Sequence, residues 1–197
     1  MATRADAASA VARPHDSGPE MGAAARQDPA RARQRPLPEP KPLTEHGPAR
    51  IIALCNQKGG VGKTTSTINL GAALTEYGRR VLLIDLDPQG ALSVGLGIPA
   101  QNMDRTIYNA LMERKTTLRD VRVPTDIPGL DLVPSNIDLS AAEVQLVSEV
   151  AREQTLLRVL ADVRDEYDYI LIDCQRCVTF IINRLAAQGL AAQLGTP

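Results

Sequence analysis

The chain reads as an α/β protein: a doubly wound, mostly parallel sheet with helices on both faces. Three observations carry that reading. The runs "RIIALC", "RVLLID" and "DYILID" are apolar without alternation, as strands covered on both faces are. The first of them leads through a glycine-rich loop straight into a helical pattern, a strand–loop–helix unit. Further helical stretches separate the remaining strands, and that alternation implies parallel pairing through crossovers.

The elements follow in order. Residues 1–48 hold eight of the fourteen prolines, and "ARARQRPLPEPKPL" has too little apolar side chain to offset the entropy of ordering it. They are expected to form a disordered, partly polyproline-like tail, with residues 49–197 as one domain. The strand "RIIALC" comes next, then the loop, then a helix over 63–77 whose apolar face includes Ile68, Leu70, Ala73, Leu74 and Tyr77. Gly78 is placed to stop it. "RVLLID" is the second strand. Helical patterns follow near 104–113 and 118–122, then a short strand "LDLVP" and a helical region over 139–165. "SAAE", from Ser140 to Glu143, matches a capping box at the start of that region. "DYILIDC" is the last clear strand.

Composition narrows the function classes. The formal net charge of −1 does not announce a nucleic-acid binder. No run of eighteen apolar residues is present, and the tail has neither the apolar stretch of a signal peptide nor the acid-poor character of a transit peptide. A cytoplasmic protein is expected. The three cysteines fit a reducing compartment, and the spacing of Cys174 and Cys177 alone does not make a redox or metal site. Both histidines, His15 and His46, lie in the tail, so a histidine-based metal centre is not expected.

The chemistry concentrates in "NQKGGVGKTTS", residues 56–66. Between a strand and a helix, the loop's N–H groups and the helix N-terminus point at a common anion, and glycines let the backbone approach it. Lys63 is placed to reach the β- and γ-phosphates of a nucleotide, and the Thr64 hydroxyl to coordinate Mg²⁺. In open parallel sheets ligands bind beyond the carboxyl ends of the strands, where Asp85 and Asp173 end theirs. Carboxylates beside phosphates imply a divalent cation between them, so Mg²⁺ is expected, with Asp173 holding it through water.

The loop departs from the common Gly-x₄-Gly-Lys-Thr pattern, having Gln57 where the first glycine would stand and Lys58 after it. Lys58 to Thr64, Lys-Gly-Gly-Val-Gly-Lys-Thr, resembles the signature of the deviant Walker A ATPases of the ParA and MinD type. The resemblance implies a P-loop NTPase-like fold and an ATP site formed by Lys58, Gly59, Gly60, Val61, Gly62, Lys63, Thr64 and Thr65. It implies a homodimer across ATP in which Lys58 reaches the phosphates bound by the other subunit. Lys58, Lys63 and Asp87 would then be catalytic, with Asp87 orienting the attacking water. Thr64, Asp85 and Asp173 would serve the metal. "DLDPQG", Asp85 to Gly90, resembles the ParA branch, which implies chromosome or plasmid partitioning with a ParB-like centromere-binding partner and non-specific DNA on the nucleoid. A MinD-type membrane cycle is a weaker alternative, because "IINRLAAQGLAAQLGTP" carries a single arginine and little charge for an amphipathic membrane helix.

The resemblance covers about residues 50–175. From Arg176 onward the match is poor, and "VTFIINRLAAQGLAAQL" reads as a helix. The expectation is a partial ATPase domain, truncated or divergent after residue 175 and lacking the C-terminal strands of the fold. A non-hydrolysing binding module or inactive remnant is the alternative reading of function.

Overall fold

The computed structural model describes residues 43–56, 58–148, 152–174 and 191–194. Its strands are β1 (Arg50–Cys55), β2 (Val81–Leu86), β3 (Val123–Pro124), β4 (Leu130–Val133), β5 (Tyr169–Cys174) and β6 (Ala191–Leu194). Its helices are α1 (Lys63–Glu76), α2 (Ala91–Gly95), α3 (Ile107–Met112), α4 (Leu118–Val121), α5 (Leu139–Ser148) and α6 (Arg152–Ala161). The strands form one sheet in the order β3-β4-β2-β5-β1-β6. All pairs are parallel except β3 with β4. β5 lies between β1 and β2, so the crossover from β1 through α1 skips one strand position.

The side-chain period of two divides each central strand between two cores. Leu82, Ile84 and Leu86 of β2, with Ile170 and Ile172 of β5, pack under residues of α3 to α6 such as Ile107, Leu118, Leu139 and Leu156. Val81 and Leu83, with Leu54, Leu132 and Leu171, pack on the opposite face against Ile68, Leu70 and Leu74 of α1 and Leu92 of α2. Both faces being covered explains why these strands read as continuous apolar runs. On that parity Asp85 and Asp173 face the α1/α2 side, and Cys55 and Cys174 the other. α1 lies close on the sheet at Gly71, where an added Cβ would stand 3.0 Å from Leu83 Cδ2 and 3.1 Å from Leu130 Cδ1. A glycine inside a helix costs about 1 kcal/mol relative to alanine; here it permits the close approach of α1 to the sheet.

The base of the sheet is tied by polar contacts. Asp168 Oδ2 lies 2.8 Å from His46 Nδ1 and accepts the Arg80 N–H at 2.8 Å, while its Oδ1 accepts the Gly47 N–H at 3.2 Å. His46 and Gly47 therefore belong to the folded unit, ahead of the boundary at 49 that composition suggests. The rest of the expected tail, residues 1–42, lies outside the described residues. The Tyr167 hydroxyl donates to Asp131 Oδ2 at 2.5 Å and accepts from Arg122 Nη1 at 2.7 Å. Arg119 and Arg122 both bond to Glu166.

Several elements differ from the sequence reading. Ala191–Leu194 is a strand pairing in parallel with β1, where a helix and a sheet without C-terminal strands were expected. Its small residues, Ala-Ala-Gln-Leu, carry no strand periodicity longer than the run itself, so the sequence could not separate strand from helix there. Ser140 lies inside α5 rather than capping it. The chain instead turns into the helix at Asn136, whose Oδ1 accepts the Asp138 N–H at 3.2 Å and whose carbonyl accepts the Leu139 N–H at 3.1 Å. The pattern at 104–113 resolves into α3 behind Thr106, whose N–H is bonded by Asn109 Oδ1 at 2.9 Å. β3 is a two-residue strand with Pro124 facing the sheet edge, where a missing N–H is tolerated. Among the described residues, no helix is long and apolar enough to cross a membrane.

Candidate functional site

The loop leaves β1 at Asn56 and enters α1 through Gly62, whose φ of +83° is a conformation that favours glycine. Gly60 is also left-handed, at φ +71°. Asn56 Oδ1 accepts the Lys58 N–H at 2.9 Å and turns the chain out of the strand. The Ser66 N–H closes the first helical turn on the Gly62 carbonyl at 2.8 Å; the helix-start N–H groups before it have no intrahelical carbonyl to reach. A Cβ added at Gly59, Gly60 or Gly62 would meet no atom within 4 Å. At Gly60 and Gly62 the backbone angle accounts for glycine. At Gly59 neither the angle nor a neighbour in the chain does.

An open cavity of about 460 Å³ lies above the loop, at the carboxyl ends of β1, β5 and β2. Gly59, Gly60, Val61, Gly62, Lys63, Thr64 and Thr65 line it, joined by Asn56, Ala91, Asp87 and Asp173. The two arms of the site meet where the Thr64 hydroxyl donates to Asp173 Oδ2 at 2.6 Å. Register places them: Asp173 pairs with Leu54 of β1 on one side and Asp85 of β2 on the other, so the end of β5 stands beside the start of the loop. Burial raises the Asp173 carboxyl above its ordinary range, opposed by the Thr64 hydroxyl and the Lys63 charge and reinforced by Asp87. Asp87, only 5% exposed, accepts the Gln89 N–H on Oδ1 at 2.9 Å.

Two of the expected site residues do not line this cavity. Lys58 is exposed and is not part of the wall of its own cavity. Asp85, expected near the magnesium shell, sits behind the wall with 0% exposure. Its Oδ2 accepts the Ser93 N–H at 3.0 Å and the Ser93 hydroxyl at 2.8 Å, and its Oδ1 accepts the Asp87 N–H at 3.1 Å. Burial pushes its carboxyl up to about 7, against the hydrogen bonds from Ser93 and Asp87. Sequence reasoning missed Asn56 and Ser93. An Asn directly after a strand is a turn signal that could have found the first; nothing in the spacing alone marks the second.

Chemically, the arrangement offers the N–H groups of a helix start and a lysine to an anion, and a hydroxyl and a carboxylate to a hard cation. The open space at Gly59 and the Thr64–Asp173 pair would fit a polyphosphate and its cation.

Comparison with known proteins identifies the family of the chain. The model of the AAA domain family matches residues 49–189. The chain is 61% identical over 161 residues to an uncharacterised protein of Mycobacterium tuberculosis, covering 82% of this chain and 49% of that one. It is 48% identical over 143 residues to the chromosome partitioning protein ParA of Caulobacter vibrioides, covering 71% and 53%. Among solved structures it resembles the cobyrinic acid a,c-diamide synthase of Mycobacterium smegmatis with bound ATP analogue and magnesium, at TM-score 0.65 and 42% identity over 71% of this chain and 57% of that one. The chain spans about half the length of the relatives it matches.

Proposed function

This chain belongs to the AAA domain family, in the ParA-type branch of the MinD/ParA superfamily, and from that premise we propose that it is an ATP-dependent switch in chromosome or plasmid partitioning. The observation that carries the proposal is the joining of loop and carboxylates in one cavity, sealed by the Thr64–Asp173 hydrogen bond. Bound Mg-ATP supplies the polyphosphate anion and the phosphoryl group that leaves with hydrolysis.

The loop N–H groups from Gly59 onward bind the phosphates, and Lys63 neutralises charge that builds on them in the transition state. Thr64 and Asp173, now joined by their hydrogen bond, are the residues that would hold Mg²⁺, which would neutralise phosphate charge. Asp87, in the wall of the cavity, is placed to hold the attacking water in line. Lys58, outside its own cavity, is free to reach the site of a second copy of the chain, so that two copies closing on ATP complete both sites. Hydrolysis then depends on dimerisation, which makes the chain a switch. A ParB-like partner and non-specific DNA complete the proposed cycle, and the likeness to a chromosome partitioning protein supports that setting.

ATP turnover of the full chain, alone and with DNA and a ParB-like protein, tests the proposal. Turnover that disappears in Asp87→Ala supports it. An equal rate in that variant, or none in the wild-type chain under any of these conditions, refutes it.

A further inference from the structure

Resting on that reading, we infer that Asp85 is a positioning residue: through Ser93 and the Asp87 N–H it clamps the turn carrying Asp87, and it does not touch the metal.

One buried carboxylate holds both ends of a seven-residue segment. Oδ1 takes the Asp87 N–H at 3.1 Å, and Oδ2 takes the Ser93 N–H and hydroxyl at 3.0 and 2.8 Å. Between these anchors the turn is closed by the Gly90 N–H on the Asp87 carbonyl at 2.8 Å and the Gln89 N–H on Asp87 Oδ1 at 2.9 Å. The other side of the turn is packed too. Gly90, at φ +64°, comes so near the end of β4 that an added Cβ would stand 2.7 Å from the Ser135 carbonyl oxygen. The Ser135 N–H in turn donates to the Ser93 hydroxyl at 3.2 Å, so Ser93 Oγ links Asp85 to the chain leaving β4.

The same geometry argues against a metal role. Ser93 and Asp85 are each 0% exposed, and Asp85 is not part of the cavity wall that Thr64, Asp87 and Asp173 form. Three donors already converge on its two oxygens. A clamp of this kind matters because an in-line attack tolerates little misplacement of the group that orients the water. Asparagine at position 85 keeps one acceptor and turns an N–H₂ toward donors, so Asp85→Asn breaks one anchor.

The test compares Asp85→Asn, the milder Ser93→Ala, the double variant and the control Ser135→Ala, whose hydroxyl has no hydrogen-bond partner among the described residues. Amide exchange of the ligand-free chain at Asp87, Gly90 and Ser93 is read first, then turnover, its Mg²⁺ half-saturation and the affinity for a non-hydrolysable ATP analogue. Both variants are expected to exchange roughly tenfold faster at these amides and to lose about tenfold or more in kcat. The Mg²⁺ requirement and analogue affinity should stay within about twofold, the control should match wild type, and the double variant should be no worse than Asp85→Asn alone. A Mg²⁺ half-saturation that rises in Asp85→Asn but not in Ser93→Ala would assign Asp85 to the metal and overturn the inference. Unchanged exchange in both variants would also overturn it, and does so independently of turnover. Absence of turnover in the wild-type chain instead strikes the functional proposal.

Discussion

Gly59→Ala separates what the fold needs from what a ligand needs. Gly59 lines the cavity, its φ lies outside the left-handed range, and a Cβ built there meets nothing within 4 Å. The ligand-free chain should therefore accept alanine, unchanged or more stable by about 0.4–1 kcal/mol because the unfolded chain loses freedom. In a domain of this size that is a rise of up to about 4 °C in Tm. Gly62→Ala is the contrast: its φ of +83° makes alanine cost about 1–2 kcal/mol, or a fall of roughly 2–8 °C, before any ligand is added. At about a hundred times its Kd, Mg-ATP stabilises a binding-competent chain by about 2.7 kcal/mol, which corresponds to about 5–11 °C. On the proposed reading, alanine at 59 would put a methyl group in the path of the phosphates, so its ligand-induced shift should fall to less than half that of wild type. Thermal unfolding with and without Mg-ATP reads all of these. A full shift in Gly59→Ala would refute the idea that the position is kept open for a ligand. A ligand-free Tm lowered as far as that of Gly62→Ala would show that the fold itself demands the glycine.

Three further outcomes follow from the same structure. Tyr167→Phe removes the hydroxyl that bonds to Asp131 and Arg122 and should cost about 1–3 kcal/mol in urea unfolding; an unchanged midpoint would mean the network at the base of the sheet contributes nothing. Burial opposes ionisation of Asp168, but the Arg80 N–H, His46 and the Gly47 N–H outweigh it and hold the carboxyl below its ordinary range. Its contribution to stability is therefore present above the unfolded value near pH 4 and lost as pH falls through the lower folded value; Asp168→Asn should flatten that acid limb when unfolding is followed from pH 5 to 2. If Lys58 acts in a second copy, mixing Lys58→Ala with Asp87→Ala should restore turnover to about a quarter of the wild-type rate, since half the random dimers carry one complete site; a mixture as inactive as its parts would argue that Lys58 serves its own site.

The central sheet and the loop were legible because their causes are local. Doubly covered strands must be apolar on both faces, so "RVLLID" and "DYILID" announce themselves, and a carboxylate closing such a run stands out at once. The glycine loop is legible for the same reason: few sequences need three glycines and two lysines in seven residues. The role of Asp85 was not legible, because its partner Ser93 is set by the way α2 folds back under β2, and a serine eight residues downstream has no signature of its own. The two aspartates of "DLD" look alike in sequence; only burial and the direction of their oxygens separate the one at the cavity from the one behind it. β6 was missed because four residues of Ala-Ala-Gln-Leu gain strand structure only from pairing with β1, a contact made across more than a hundred residues of chain. Ser140 misled because a capping-box pattern is a local signal, whereas Asn136 and the exit from β4 decide where α5 begins.

The most direct test of the account is the binding of a fluorescent, non-hydrolysable ATP analogue to the full chain, titrated with and without Mg²⁺, beside Lys63→Ala. The account predicts saturable binding that tightens with Mg²⁺ and is weakened by about tenfold or more in the variant, which should keep the wild-type unfolding transition. Equal binding by both chains, or a wild-type affinity indifferent to Mg²⁺, would contradict the assignment of the Gly59–Thr65 loop with Thr64 and Asp173 as a nucleotide–metal site.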